Sequence, residues 1–301
     1  METAFVVNRH DHTVSKFGAR PVNDDESLAH VDLHDYGHVA LLATYGSDAL
    51  IAETARVSYG KGTTKTRTDV SLIRYLVRHR HTSPLEHAEV VFYLKIPIFV
   101  ARQLLRHRTA NVNEYSARYS ELSNEFYVPD ESALAPQSTT NRQGREGSYT
   151  TDADAIRDAM LYAQETGHRT YQSLLSSHNL SRELARIVTS VGTYTEMYWK
   201  CDLHNFLHFL KLRMDTHAQQ EIRDVATAMY ACVSPFFPTT ITAWEDYVLH
   251  SHTLSAMELQ MLSLVLKQYV PADVTYPTNL FAHMSDREHR EFQSFLTRLR
   301  G

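Results

Sequence analysis

Only two cysteines, Cys201 and Cys232, occur in 301 residues, too few to staple a chain this long by disulfides. Reduced thiols in the cytoplasm are the expectation. Glycine is equally sparse, at ten residues. No Gly-rich dinucleotide fingerprint appears, which argues against a Rossmann domain. No apolar run approaches the roughly 18 residues of a membrane span. The opening residues, Met1-Glu2-Thr3-Ala4-Phe5, lack the basic-then-apolar plan of a signal peptide. Excess positive charge is missing too. The net charge of −5 disfavours a protein that coats nucleic acid. No partner membrane or nucleic acid is therefore expected.

What remains is an ordinary globular composition, 43% hydrophobic and 22% charged, with a large store of 18 histidines. Val39–Tyr45, Val90–Ile96 and Thr193–Trp199 read as strands, being rich in β-branched and aromatic residues. Helices are expected over 47–56, 68–80, 98–108, 152–176, 181–190, 203–214 and 217–232. Ser181 and Asp202 are placed to cap two of them. Residues 1–30 read as a loosely held arm, 129–150 as a polar loop insertion, and 236–301 as a mostly helical extension. Short strands scattered among dominant helices imply an α+β fold. We expect one helix-rich domain over 1–301, its core at about 40–235, with a small mixed or antiparallel sheet.

The segment richest in chemistry is Arg106-His107-Arg108-Thr109-Ala110-Asn111-Val112-Asn113-Glu114-Tyr115-Ser116-Ala117-Arg118. Arg102 and Arg106 share a helix face, and Gln103 neighbours Arg106. Consecutive helical residues diverge by about 100°. If the helix persists, Arg106, His107 and Arg108 cannot all grip one phosphate. They serve different ligands, or one ligand that wraps the helix end. A helix C-terminus attracts cations in any protein. Here, however, the polar, turn-prone Asn111–Arg118 follows at once and could cradle a nucleotide, since guanidinium forks suit phosphate.

Arg-His-Arg, seven residues, then Ser116 resembles the signature of the flavin-dependent thymidylate synthases. The resemblance runs over about residues 50–230. It includes His81-Thr82-Ser83-Pro84-Leu85-Glu86-His87, Pro97 to Gln103, Glu183-Leu184-Ala185-Arg186 and Leu210 to Gln219. It implies reductive methylation of dUMP to dTMP, with methylenetetrahydrofolate as carbon donor and NADPH as reductant through FAD. It also implies a homotetramer with shared active sites. By resemblance, dUMP is held by Gln103, Leu104, Leu105, Arg106, Glu114, Tyr115, Ser116, Ala117, Arg118, Arg186 and Arg213. FAD meets Ser83, Arg106, His107, Arg108, Glu114, Asp202, Leu203, His204 and His208. His81 lies where the folate stacks. At 202, 204 and 208 some members carry Asn, Arg and Asn, so Asp202, His204 and His208 depart from that pattern.

Three groups compete for the chemistry. Cys201 lacks an activating partner, and such a cysteine is usually structural. Ser116 among arginines suits a phosphate better than a nucleophilic role. Arg213 falls about 20° from Phe206 around its helix, at the edge of the apolar stripe. A partly desolvated guanidinium there would stabilise dUMP ionised at N3, the catalytic role the resemblance implies. The competing role for Arg213 is a salt bridge to Asp215 or another acid. His204 and His208 are placed roughly opposite Arg213. Their spacing, with Asp202 and His217, raises the alternative of a metal-dependent hydrolase. The His-Glu-x-x-His pattern is missing, and no metal is expected.

Overall fold

In a computed structural model, the residues described are 6–7, 27–59, 68–139, 144–147, 152–269 and 284–300. Six strands are found among them: β1 Val6–Val7, β2 Ala29–Leu33, β3 Gly37–Tyr45, β4 Glu89–Pro97, β5 Asn111–Glu114 and β6 Tyr194–Asp202. They form one sheet in the order β1-β2-β3-β4-β6-β5, antiparallel at every junction. Ten α-helices accompany them: α1 Asp48–Arg56, α2 Asp69–Arg78, α3 Ile98–Leu104, α4 Ala153–Ser176, α5 Arg182–Ala185, α6 Leu203–Arg213, α7 Gln220–Val233, α8 Pro238–Trp244, α9 Ala256–Tyr269 and α10 Asp286–Arg300. The fold is α+β, as the sequence implies.

Alternation sets the two faces of the sheet. On β4, Val90, Phe92, Leu94 and Ile96 point into the main core, where they meet Met197, Trp199 and Cys201 of β6. Helices α1, α2, α6, α7 and α8 cover that face with Ile51, Leu72, Phe206, Val225 and Ile241. Phe92, Trp199, Phe206 and Phe209 stack at its centre, with ring centroids 5.7–6.2 Å apart. The opposite face carries a smaller cluster of Ala40, Leu42 and Tyr93.

The caps are local and legible. Ser47, Thr68 and Asp202 each accept a backbone N–H from the first turn of α1, α2 and α6. Ser181 occupies the cap position of α5, but its side chain makes no cap bond.

Several expectations are corrected. The helix after Pro97 stops at Leu104, not Arg108, because Arg106 N–H and His107 N–H turn back to the carbonyls of Gln103 and Leu104. The expected helix over 181–190 is one turn of α-helix and one tighter turn, Arg186–Val188. Asn111–Glu114, read as turn-prone, is an edge strand on β6. Ala29 and His30, read as part of a loose arm, are strand residues paired with Leu41 and Ala40. The rest of that arm, apart from 6–7 and 27–28, lies outside the described residues, as do 140–143 and 148–150 of the 129–150 insertion and 270–283 and 301 of the extension. No helix among the described residues is long and apolar enough to cross a membrane.

Candidate active site

Two strand-to-helix junctions build the site. β4 runs through Pro97 into α3, and β6 runs through Asp202 into α6. Because β4 and β6 are paired along their whole length, α3 and α6 leave opposite ends of the same strand pair. The short loop after α3 then lies along α6. There the His107 ring stands edge-on to Phe209, 4.9 Å between centroids, and 6.3 Å from His208.

Arg213 closes this junction. Its Nε donates to His107 Nε2 at 3.1 Å, and its Nη2 donates to the carbonyl of Gln103 at 3.3 Å. The expected rival partner, Asp215, accepts instead from His217 at 2.7 Å. Among the described residues no carboxylate pairs with Arg213. Burial and the charge of nearby Arg106 both pull Arg213 below the ordinary guanidinium range. A guanidinium nevertheless remains protonated at any physiological pH. Burial, then the charges of Arg213 and His208, push His107 down to about 4. His107 is therefore neutral near pH 7. Arg213 can only donate, so Nε2 is the acceptor and the ring proton sits on Nδ1. His107 thus links Arg213 and His208, which lie on different faces of α6.

A cavity of about 390 Å³ opens on that other side. It gathers His81, His204 and His208 with Arg80, Thr82 and Lys211, against Leu76, Leu85, Leu207, Trp244 and Tyr247. His81 arrives there from the end of α2. Arg80 takes a left-handed conformation, φ 56°. The His81 N–H then reaches back to Leu76 O at 2.9 Å, and the Arg80 N–H to Val77 O at 3.2 Å. Basic groups over an apolar, aromatic wall suit a planar heteroaromatic ligand that carries negative charge. Arg80, Lys211, Trp244 and Tyr247 were not singled out from sequence. Lys211 lay in a recognised segment, whereas Trp244 and Tyr247 fall in the unassigned extension.

A second group forms around Glu183. Arg118 Nε donates to its carboxylate at 3.0 Å, and Arg186 Nε donates to its carbonyl at 3.3 Å. Ser116 Oγ accepts the Arg118 N–H at 3.3 Å and is half-buried at the start of a helical turn. Tyr115 is held by its OH on Glu121 O at 2.7 Å, and Glu114 accepts from Thr195 Oγ1 at 2.8 Å. Ala117 packs against a small cluster around Tyr171 and Ala185. No hydrogen bond or ion pair among the described residues joins this group to Arg213 or the histidine cavity.

The remaining expected residues are dispersed along these edges. Arg106, Arg108, Leu105 and Ser83 are exposed. Gln103 Nε2 donates to Gln219 Oε1 at 2.7 Å. Leu104 and Leu203 are fully buried, so the backbone is their route to a ligand. Asp202 spends both carboxylate oxygens on Asn205, accepting its N–H at 2.9 Å and its Nδ2–H at 2.7 Å. That removes the third ligand of the metal alternative. No cluster of three or more metal-ligating side chains occurs among the described residues. Cys201 and Cys232 are free and buried, and burial pushes both thiols up to about 12.

Residues 40–239 match the model of the family described as "Thymidylate synthase complementing protein". A flavin-dependent thymidylate synthase of Ehrlichia ruminantium (strain Gardel) is 45% identical over 263 residues, 87% of this chain and 86% of that protein. One from Dictyostelium discoideum is 48% identical over 242 residues, 77% and 79% of the two chains. Among solved structures, a UMP/dUMP methylase from Streptomyces cacaoi bound with 5-Br dUMP superposes with a TM-score of 0.65. It is 34% identical, and the match covers 71% of this chain and 97% of that one. The chain belongs to the thymidylate synthase complementing protein family, that of the flavin-dependent thymidylate synthases.

Proposed function

We propose that the chain methylates dUMP to dTMP, with FAD as cofactor, methylenetetrahydrofolate as carbon donor and NADPH as reductant. It is a methyl-transferring enzyme that works through a flavin. One observation carries the reading: Arg213 is held half-buried beside Arg106, on a neutral His107, with no acid to balance it among the described residues. Two adjacent cations kept without a counterion are unfavourable unless an anion completes the site.

The uracil ring of dUMP becomes that anion when it loses its N3 proton. Its C5 is a poor nucleophile until electron density is pushed onto the ring. Arg213 stabilises the ring ionised at N3, which enriches C5 without a covalent adduct to the enzyme. The high thiol pKa of Cys201 opposes a thiolate mechanism. Ser116, Arg118 and Arg186 hold the phosphate, with Glu183 accepting from and orienting both arginines. Gln103, Leu104, Leu105, Arg106, Glu114, Tyr115 and Ala117 complete the nucleotide cradle.

The donor set fits FAD. His204 and His208 supply donors to its anionic portion at the cavity, and Ser83, Arg106, His107, Arg108, Glu114, Asp202 and Leu203 line its path. FAD supplies hydride transfer when bound. His81, set in the same cavity, offers a face for the folate ring. Among the described residues no hydrogen bond or ion pair joins the Arg118–Arg186 group to Arg213, which is consistent with sites completed between subunits of a homotetramer. Exposed Leu161 and Tyr162 on α4, together with Leu184 and Ile187 near α5, supply apolar surface for such an assembly. The free thiols suit a cytoplasmic protein.

The visible spectrum of the purified protein tests the assignment. Flavin absorption, as isolated or after reconstitution with FAD, is the expected result. Protein that stays colourless and cannot be reconstituted contradicts it.

A further inference from the structure

The chain continues past the matched span, and its final helix reaches back to the histidine cavity. Arg74 on α2 and Glu288 on α10 are each only 6% exposed. Arg74 Nε donates to Glu288 Oε1 at 2.8 Å across 214 residues of sequence. The same guanidinium donates from Nη2 to Asp246 at 2.6 Å and to the Tyr247 hydroxyl at 2.7 Å, and it lies 4.8 Å from the centre of the Tyr247 ring. Tyr247 in turn donates its hydroxyl to Glu288. The second oxygen of Glu288 accepts the Ser285 N–H at 2.5 Å, which caps the helix from which Glu288 projects.

Tyr247 and Trp244 are also walls of the cavity that holds His81, His204 and His208. A second contact joins the same two helices one residue along. Arg287 lies 4.8 Å from the centre of the Tyr75 ring, and Tyr75 meets the His81 ring edge-on at 5.5 Å. The segment after Tyr247 is fastened separately, by Lys211 Nζ donating to Leu249 O at 2.9 Å. Helix α10 therefore holds Tyr247 directly and the neighbour of His81 through α2, without itself lining the cavity.

We propose that α10 is a strut for the flavin site: the buried Arg74–Glu288–Tyr247 network sets the position of the aromatic wall, with Trp244 and Tyr247 facing the ligand and Glu288 a positioning residue. This rests on the assignment of the cavity to FAD. A carboxylate that bonds two groups at once fixes the Tyr247 ring more tightly than packing alone, since a buried ion pair left half-made is strongly unfavourable. Its removal loosens the wall while the core of the sheet stays intact.

The test is titration of apoprotein with FAD, followed by flavin fluorescence and by visible circular dichroism of the bound flavin. Four variants are compared with the wild type: Glu288→Ala, Glu288→Gln, Tyr247→Phe and the core control Ile222→Ala. Glu288→Ala is expected to weaken FAD binding about tenfold and to alter the flavin dichroism. Glu288→Gln and Tyr247→Phe, which keep shape and lose part of the network, are expected to weaken it about threefold. Ile222→Ala, on α7 in the main core, is expected to lower the melting temperature and leave FAD affinity unchanged. If the Glu288 and Tyr247 variants bind FAD as the wild type does, or weaken it only as Ile222→Ala does, the strut is refuted while the flavin assignment stands. A wild type that binds no FAD overturns the assignment and the strut together.

Discussion

His107 and Arg213 lie 106 residues apart in sequence and share a hydrogen bond of 3.1 Å, with the arginine donating. The bond ties the loop after α3 to the end of α6, and it defines which nitrogen of the imidazole is free. An unfolded imidazole titrates near about 6.5, whereas burial and Arg213 hold His107 at about 4 in the fold. The folded state thus favours the neutral ring. Its contribution to stability is present above the unfolded pKa and is lost as pH falls from about 6.5 toward about 4. Denaturant unfolding of ligand-free protein at a series of pH values should show this loss, and His107→Gln should flatten it. A His107→Gln profile that follows the wild type across the window would assign the loss to other groups.

Replacing Arg213 by Ala should separate chemistry from folding. The side chain has no carboxylate partner among the described residues, so its removal should change stability by no more than about 1 kcal/mol. Flavin should still bind. Turnover of dUMP should fall about a hundredfold or more, the scale of removing a preorganised charge from a developing anion. Normal turnover in the variant would take Arg213 out of the mechanism.

Cys201 lies on β6 opposite Val90 of β4, with its side chain in the core, and burial drives its thiol up to about 12. Cys201→Ala should therefore retain turnover within about twofold, while costing about 1 kcal/mol of stability through lost packing. Rate measurements before and after thiol alkylation of native protein provide the check. Abolished methylation in a folded Cys201→Ala protein would restore the thiolate mechanism.

Arg80 offers a trade between fold and function. Its φ of 56° is a conformation that glycine adopts at little cost. Arg80→Gly should stabilise the protein by up to about 1 kcal/mol, yet remove a cation from the cavity. Thermal melting and FAD affinity should move in opposite directions. Loss of stability in Arg80→Gly would show that the arginine is held there by packing.

Much of the frame was legible because local chemistry dictated it. Asp202 at the start of Leu203–Arg213, Pro97 between β4 and α3, and the buried spacing of Leu72, Ile73, Leu76 and Val77 each announce themselves within a few residues. The edge strand Asn111–Glu114 did not. It has a polar sequence and is a strand only because β6 offers unpaired backbone groups beside it. The end of α3 is hidden for a similar reason: nothing in Arg106-His107-Arg108 opposes helix, and the turn at Gln103–His107 accompanies the packing of His107 on Phe209 of α6. The site residues were legible as types. Their grouping was not, since the Arg213–His107 bond and the Tyr247–Glu288 brace join segments far apart in the chain.

The most direct measurement is product formation. Purified protein reconstituted with FAD is incubated with dUMP, methylenetetrahydrofolate and NADPH, and nucleotides are separated by chromatography. dTMP is expected to accumulate in proportion to dUMP lost, with no product when FAD or dUMP is omitted. A reconstituted, folded protein that leaves dUMP unchanged would contradict it.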